Sequence, residues 1–346
     1  MINKRTDEHK KDCLIIAEAG VNHNGRLDMA LQLCDAAKDA GADVVKFQTW
    51  QTEKLLTRNV EQAEYQSQNT GVVESQFDML KKLELSYDDF RKVKSHCDEI
   101  GITFASTADE EESLDFLTEL GIPFIKIGSG DIGNVSFLRY IGSKGLPVIL
   151  STGMSTMEDV ELSIRSLREG GAKDISVLHC TTSYPCPYPS VNLRAMLTLK
   201  ETLGLPVGYS DHTIGTEVPV AAVALGAEII EKHFTLDRTL DGPDHAASTE
   251  PDEFRRMVEA IRHTEECLGE GTKEPTEIEK IVAKVVTKRI VAKTVIHAGE
   301  RITPSMICIK RNDIGLSARN WDLVVGQIAD KDYSPDEGIV FSALRE

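Results

Sequence analysis

The amino-acid sequence predicts an α/β fold: a closed (β/α)8 TIM barrel over residues 1–269, followed by a small β-rich C-terminal domain. Eight short apolar runs alternate with amphipathic helical segments along the first part of the chain. The runs are almost continuously apolar, which is typical of parallel strands that are buried on both faces. After Gly269 the composition changes, and this change predicts the second domain.

The eight predicted strands are spaced regularly, and a helical segment follows each of them. They are 13–20, 43–49, 103–107, 124–129, 147–153, 175–181, 206–211 and 228–235. Several helical segments end in a glycine just before the next strand, as helix C-termini do. An open doubly wound sheet is the alternative. It usually has a GxGxxG turn after its first strand, and AGVNHNG lacks that spacing.

The chain after Gly269 predicts a linker and then a separate domain. Residues 270–286 combine a polar stretch with a helical one, EIEKIVAKVV, and we assign them to the linker. Residues 287–346 contain short Val- and Ile-rich runs broken by Gly, Pro and Asn, which indicate a β-rich module. Residues 50–73 are predicted to form a long polar loop, a kind of insertion that often builds or covers the active face of a barrel.

Composition excludes several classes of function and partner. The net charge is −17, from 39 basic and 56 acidic residues, so nucleic acid and anionic membranes would be repelled. No apolar run approaches the roughly 20 residues of a membrane span. The first dozen residues are charged and lack the apolar segment of a signal peptide, so we expect a cytoplasmic protein. Seven cysteines without a CxxC pair predict reduced thiols.

Polar side chains gather at the carboxyl ends of the predicted strands, where the active site of a (β/α)8 barrel forms. They are Glu18, Lys46, Gln48, Ser106, Thr107, Lys126, Ser129, Ser151, Thr152, His179, Thr181, Thr182, Ser210, Asp211, His212, Glu231, Lys232 and His233. One such residue could belong to a structural ion pair. Burying so many of them unpaired would cost several kcal/mol each, so together they predict a functional site.

The segment GYSDHTIG places Ser210, Asp211 and His212 in direct succession, and these are the residue types of a hydrolase triad. Successive residues of a strand point to opposite faces. Ser210 and His212 therefore share one face, and Asp211 points away from it. The segment also lacks the GxSxG turn of serine hydrolases, so the pattern argues against a Ser–His–Asp relay.

Two histidines at the ends of neighbouring strands, His212 and His233, predict a divalent metal site. Glu18 is at the end of the first strand, which lies next to the eighth strand in a closed barrel. A pair of hydrogen-bonded core histidines is the alternative. Lys46 and Lys126 could hold a phosphate or a carboxylate as point charges. Either lysine could equally be a Schiff-base nucleophile of the aldolase type, and their spacing leaves both roles open.

Eight segments occur in a characteristic order between about residue 14 and residue 250: IAEAGVNHNG, VVKFQT, KIGSGD, ILSTGM, HCTTSYP, GYSDHT, EKHFTLD and GPDH. In this order they resemble the sialic acid synthase family, the phosphoenolpyruvate-dependent nonulosonate synthases. The β-rich tail is similar to the antifreeze-like (SAF) domain of that family. The resemblance implies a transferase that condenses phosphoenolpyruvate with an open-chain N-acetylated mannosamine-type sugar and water, and that releases phosphate.

The resemblance also implies a role for each candidate site residue. The catalytic residues would be Glu18, Lys46 and Lys126. Phosphoenolpyruvate would contact Lys46, Thr107, Lys126, Ser129, Ser151, Thr182 and Ser210. The sugar would contact Gln48, Tyr184, Asp244 and Arg311. His212 and His233 would bind the metal directly and Glu18 through a water molecule, with Mn²⁺ expected and Mg²⁺ or Co²⁺ as alternatives.

The resemblance further implies a domain-swapped homodimer, in which Arg311 of one chain lies over the sugar site of the other. The small-molecule partners would be phosphoenolpyruvate and an N-acetylated hexosamine. We expect N-acetylneuraminate synthase activity, with N,N'-diacetyllegionaminate synthase as the alternative. A class I aldolase, a non-catalytic sugar-binding protein and a barrel synthase acting on arabinose phosphate or erythrose phosphate are more distant alternatives.

Overall fold

The computed structural model describes residues 12–62 and 72–341. The chain divides into two compact units, and the division falls between Gly269 and Glu270. In the first unit, eight parallel strands form a closed barrel in which each strand pairs with its neighbours in sequence and β8 pairs with β1. The predicted α/β barrel is therefore confirmed.

The barrel strands lie close to their predicted positions. Their bounds are β1 Leu14–Gly20, β2 Val44–Thr49, β3 Thr103–Ala108, β4 Ile125–Ile127, β5 Val148–Ser151, β6 Ile175–Cys180, β7 Val207–Asp211 and β8 Ile229–His233. The helices of this unit are Leu27–Asp39, Thr52–Leu55, Gln76–Leu83, Tyr87–Ile100, Glu111–Leu120, Val135–Ser143, Met157–Gly170, Arg194–Leu203, Glu217–Ala224 and Pro251–Leu268. Gly101 and Gly204 end their helices in the left-handed conformation, as the glycine pattern predicted.

The segment predicted as a long loop, residues 50–73, departs from that prediction at its start. One helical turn, Thr52–Leu55, forms there. The Glu84 carboxylate accepts hydrogen bonds from the Thr52 amide at 3.0 Å and from the Thr52 hydroxyl at 2.7 Å. This carboxylate satisfies a free donor at the helix start, which explains why the turn forms in a polar sequence. Residues 63–71 of the segment lie outside the described residues.

The interior of the barrel changes from apolar to polar along seven of its eight strands, and β6 is the exception. Its lower layer is a buried cluster of Leu14, Ile16, Val44, Ala105, Phe124, Ile149, Leu178 and Ile229. On β7 the corresponding residue is Gly208, where a Cβ atom would overlap the Ile229 carbonyl oxygen. Two residues further along each strand the side chain points inward again, because strand residues alternate between faces. At that level the inward residues are polar, apart from Cys180 on β6, and they form the site described below.

The second unit begins with the helix Glu277–Val286, so the predicted linker contains a regular helix. Thr276 and Glu279 form a capping box that fixes its start. Strands β9 Lys288–Ala292 and β10 Ile307–Arg311 pair antiparallel, and a short helix spans Trp321–Val324. The core of this unit is a separate cluster of buried residues, among them Ile290, Ile302, Tyr333 and Ile339.

No helix within residues 12–62 and 72–341 is both long enough and apolar enough to cross a membrane.

Candidate active site

A cavity of about 200 Å³ opens at the carboxyl ends of the barrel strands. It collects predicted site residues from all eight strands or from the loops directly after them. The predicted residues in its wall are Glu18, Lys46, Gln48, Thr107, Lys126, Ser129, Ser151, Thr182, Tyr184, Ser210, His212 and His233. The structure thus brings together residues that lie up to 215 positions apart in the sequence, from Glu18 to His233.

Four charged side chains at the floor of the cavity form one buried network. The Lys46 ammonium is ion-paired with Glu18, and it lies 3.6 Å from Oε2 of Glu231. Oε1 of Glu231 lies 3.4 Å from Nζ of Lys126. All four residues are at most 5% exposed. The two carboxylates and two ammonium groups compensate one another, which allows four charges to be buried together.

The two carboxyl groups of this network differ in acidity. Burial raises the pKa of Glu18 to about 7, because the nearby Glu231 charge adds to the effect of burial and Lys46 opposes it only in part. Burial would also raise the pKa of Glu231, but Lys126 and Lys46 outweigh it and lower that pKa to about 2. Near neutral pH, Glu231 is therefore ionised and Glu18 can gain or lose a proton.

The lysines and the nearby hydroxyl groups form a surface suited to anions. The Lys46 ammonium donates to Oγ1 of Thr107 at 3.1 Å, and Lys126 donates to Oγ of Ser151 at 2.7 Å. Burial alone would lower the pKa of Lys46, but the negative charges of Glu18 and Glu231 outweigh this effect. The pKa of Lys46 is therefore raised, and its ammonium group stays charged. When Glu18 is protonated, two ammonium groups face one carboxylate, which leaves a net positive charge.

His212 and His233 face each other across one side of the cavity, with ring centres 5.4 Å apart. Nδ1 of His212 lies 2.7 Å from the Thr181 carbonyl oxygen, which requires a proton on Nδ1 and leaves Nε2 with a free lone pair. Nδ1 of His233 is buried and has no hydrogen-bond partner in the described chain. Burial lowers the pKa of both imidazoles, so both are neutral and able to bind a metal.

Within the described part of the chain, no group of three or more His, Cys, Asp and Glu side chains is arranged to hold a metal ion. The two histidines therefore form a pair without a third protein ligand. Such a pair leaves the other coordination positions to water or substrate, which is the arrangement of an open site.

Tyr184 and Asp244 lie beside the histidine pair. The Tyr184 ring centre is 4.3 Å from that of His212 and 5.4 Å from that of His233. Oδ2 of Asp244 is 3.8 Å from Nδ1 of His233, and burial raises the pKa of this carboxyl group to about 6. Asp244 borders the cavity region without forming part of its wall, unlike Tyr184.

The structure separates the three residues of the apparent triad. Ser210 and His212 line the cavity, as their common strand face predicted. Asp211 points outward instead, where it is ion-paired with Lys232 and accepts a hydrogen bond from the Thr213 hydroxyl at 2.9 Å. Ser210 donates to Glu231 at 3.1 Å rather than to a histidine. The sequence argument against a hydrolase triad is therefore confirmed.

Two carboxylates of the cavity received no role in the sequence analysis. Glu231 bridges the two lysines, and its sequence signal was its place among the polar residues at the strand ends. Asp109 lines the cavity one residue beyond β3. It continues the inward alternation of Ala105 and Thr107, so a longer predicted third strand would have found it. Burial, with the Asp131 charge, raises the pKa of Asp109 to about 7.

The backbone at Gly153 lies close to the hydroxyl groups of both Ser129 and Thr182. The Gly153 amide donates to Oγ of Ser129 at 2.9 Å, and a Cβ at this position would overlap Oγ1 of Thr182. Arg311 is the predicted site residue that belongs to the second unit, where it is exposed at the end of β10.

Comparison with protein families identifies the barrel. The model described as the NeuB family matches residues 33–273. The chain belongs to the NeuB family. The SAF domain model matches residues 274–345, and this match identifies the C-terminal domain that the sequence predicted. As a NeuB protein the chain is a nonulosonic acid synthase, a transferase that forms a carbon–carbon bond with phosphoenolpyruvate, and the resemblance found in the sequence is confirmed.

Three relatives of this NeuB protein match between 79% and 94% of its length. N,N'-diacetyllegionaminic acid synthase of Legionella pneumophila is 44% identical over 91% of this chain and 89% of its own. The enzyme with the same name from Campylobacter jejuni is also 44% identical, over 94% of this chain and 98% of its own. The solved structure of N-acetylneuraminic acid (sialic acid) synthetase from Leptospira borgpetersenii has a TM-score of 0.69 and 36% identity, and it covers 79% of this chain and 90% of its own.

Proposed function

We propose that this NeuB protein condenses phosphoenolpyruvate with the open-chain form of a diacetamido-trideoxy sugar to give N,N'-diacetyllegionaminate. The observation that carries this choice is the 44% identity to two N,N'-diacetyllegionaminic acid synthases, against 36% to the Leptospira N-acetylneuraminic acid synthetase. The alternative acceptor in the sequence analysis is thus better supported than N-acetylmannosamine, which was expected first.

The cavity floor would hold phosphoenolpyruvate. Lys46 and Lys126 supply two buried positive charges, and Thr107, Ser151 and Ser210 supply hydroxyl donors at the same level of the barrel. A phosphate and a carboxylate on one small molecule match this set, because charged hydrogen bonds are strongest in a buried site. A small anion also fits the volume of about 200 Å³, with the acceptor entering from above.

The reaction forms one carbon–carbon bond, and it replaces the C2–O bond to phosphate with a C2–O bond to the oxygen of water. C3 of phosphoenolpyruvate attacks the aldehyde carbon of the acceptor, and the aldehyde oxygen gains a proton to become a hydroxyl group. Water adds to C2, and phosphate then leaves with the oxygen that linked it to C2. The attacking water must lose a proton, and Glu18 is the group we propose to accept it, since its pKa of about 7 allows it to change protonation state at neutral pH.

A divalent metal, with Mn²⁺ as our proposal, fits the two histidines. The fit rests on two neutral imidazoles at the cavity, one of which has its Nδ1 proton fixed on the Thr181 carbonyl. Nitrogen ligands of this kind suit Mn²⁺ better than Mg²⁺, which prefers oxygen. A metal bound there would polarise the acceptor aldehyde.

The aldolase alternative requires a neutral lysine that attacks a carbonyl group. Lys46 does not meet this requirement, because Glu18 and Glu231 raise its pKa. Burial lowers the pKa of Lys126, so this lysine is the one that a Schiff-base test must address. Borohydride trapping in the presence of substrate would reveal such an adduct.

A homodimer is our proposal for the assembled enzyme. The helix Glu277–Val286 exposes an apolar stripe of Ile278, Ile281, Val282 and Val285, each at least 47% exposed in the single chain. Residues at this spacing form one helix face, which a soluble protein normally covers. We expect sedimentation equilibrium to give twice the chain mass, and Ile281→Asp to weaken the association. A monomeric wild-type protein would contradict the proposal.

The assay that tests the proposed reaction is phosphate release with phosphoenolpyruvate, Mn²⁺ and a panel of acceptors. We expect turnover with the diacetamido-trideoxy sugar at a kcat/KM at least about tenfold above that for N-acetylmannosamine, a difference of ~1.4 kcal/mol in transition-state binding. A preference for N-acetylmannosamine would overturn the acceptor choice. No phosphate release with any acceptor in the panel would overturn the reaction itself.

The pH dependence of kcat tests the proposed role of Glu18. The ionised carboxylate accepts the proton, and burial raises its pKa to about 7, so kcat should fall as the pH drops below that value. We expect Glu18→Gln to lower kcat by about 10²–10⁴-fold and to remove this acidic limb. Asp109→Asn is the matched control, because Asp109 also has a raised pKa of about 7 and should leave the limb intact. An acidic limb that persists in Glu18→Gln and disappears in Asp109→Asn would assign the proton transfer to Asp109.

Binding of Mn²⁺ tests the histidine pair without an activity measurement. We expect His212→Ala and His233→Ala each to weaken Mn²⁺ affinity by about 100-fold or more, measured by electron paramagnetic resonance of the free ion. His96→Ala is the control, since His96 pairs with Asp35 on the outside of the barrel at 2.7 Å. Wild-type affinity in the double variant His212→Ala/His233→Ala would refute the assignment.

A further inference from the structure

The loop that carries Asp244 is closed at its base. It leaves β8 at Phe234 and returns at Thr249, and these two residues form a parallel bridge. The Thr235 amide donates to the Thr249 carbonyl at 3.0 Å, and the Thr249 amide donates to the His233 carbonyl at 2.8 Å. Residues 235–248 therefore form a loop whose two ends are joined next to His233.

A side chain from the neighbouring β1 side of the barrel, that of Asn22, bonds to both ends of this loop. Asn22 follows β1, and its amide nitrogen donates to the Phe234 carbonyl at 2.9 Å and to Oγ of Ser248 at 2.9 Å. The Ser248 hydroxyl in turn donates to the Asp244 carbonyl at 2.7 Å. Asn22 and Ser248 are each 1% exposed, so water does not compete for these bonds.

A second set of contacts fixes the outer part of the same loop. The amide nitrogen of Asn24 donates to the Asp241 carbonyl at 2.8 Å. His245 lies between Asn24, at 3.3 Å from its Nε2, and the Thr235 hydroxyl, at 2.6 Å from its Nδ1. The two contacts of Asn24 come from the NHNG segment after β1, so two neighbouring loops of the barrel form one hydrogen-bonded unit.

We propose that Asn22 is a positioning residue for the acceptor site: through Ser248 it fixes the backbone of Asp244, and thereby the Asp244 carboxylate beside His233. This proposal rests on the proposed function, in which Asp244 contacts the acceptor sugar. The amide of asparagine suits this position because it donates two hydrogen bonds from one nitrogen, one to each end of the loop. An ionised aspartate has the same shape and donates neither, and a protonated aspartate donates only one.

Asn22→Asp is therefore the first variant, because it removes the two donors and preserves the volume. We expect the KM for the acceptor to rise about tenfold or more, the effect of about 1.4 kcal/mol from a lost buried hydrogen bond. The KM for phosphoenolpyruvate should stay unchanged, because the lysine network lies on the barrel strands and not on this loop. An equal rise in both KM values would overturn the proposal.

A double-mutant cycle tests whether Asn22 acts through Asp244. We expect Asn22→Asp/Asp244→Asn to have the same acceptor KM as Asp244→Asn alone, since a carboxylate that is absent cannot be misplaced. Additive effects would show that Asn22 acts by another route. Ser248→Ala interrupts the same path with a smaller change, and it replaces Asn22→Asp if that variant does not fold.

Hydrogen exchange gives a readout that does not depend on the proposed reaction. We expect the amides of Thr235 and Thr249 to exchange faster in Asn22→Asp than in the wild type. Ser86→Ala is the control, because it removes a helix cap outside the barrel and should leave both these amides and the KM values unchanged. If exchange is faster in Asn22→Asp but the wild type turns over no acceptor, the loop contact is supported and the proposed function is rejected. Unchanged exchange would reject the positioning role.

Discussion

Two carboxylates and two ammonium groups share one buried space at the top of the barrel, and the rest of the site depends on this network. Each charge alone would be costly to bury, but Glu18, Lys46, Glu231 and Lys126 compensate one another. They cannot move apart, because each belongs to a strand whose neighbours are fixed by backbone hydrogen bonds. Glu231 lies within 3.6 Å of both lysines and accepts a hydrogen bond from Ser210, whereas Glu18 is ion-paired with Lys46, and this difference accounts for their unequal acidities.

A second buried ion pair, Asp211 with Lys232, lies outside the barrel wall and joins β7 to β8. Both residues are at most 2% exposed. Each immediately precedes a histidine of the cavity, His212 or His233, so the pair joins β7 to β8 at the level where the imidazoles emerge. The distance between the two rings is thereby set by groups that have no access to the cavity.

Much of this arrangement follows from residue alternation, and the sequence therefore predicted it. The inward faces of β7 and β8, with Ser210, His212 and His233, needed only strand positions to be correct. The place of Glu231 between the lysines depends on how far neighbouring strands are offset around the barrel, which strand patterns do not report. The contact from Asn22 to Ser248 joins residues 226 positions apart through one side-chain amide, and no local pattern signals it. The acceptor that we propose likewise rests on the identity to relatives and not on a sequence pattern.

The closed loop of residues 235–248 has an evolutionary consequence. The strands carry the groups proposed for phosphoenolpyruvate, whereas Asp244 lies on a loop that is anchored at its base and at Asn24. Substitutions within the loop can therefore accumulate without disturbing the buried charges below. Under the proposed function, a lineage with this architecture can change the sugar that it accepts while the bond-forming chemistry is inherited intact.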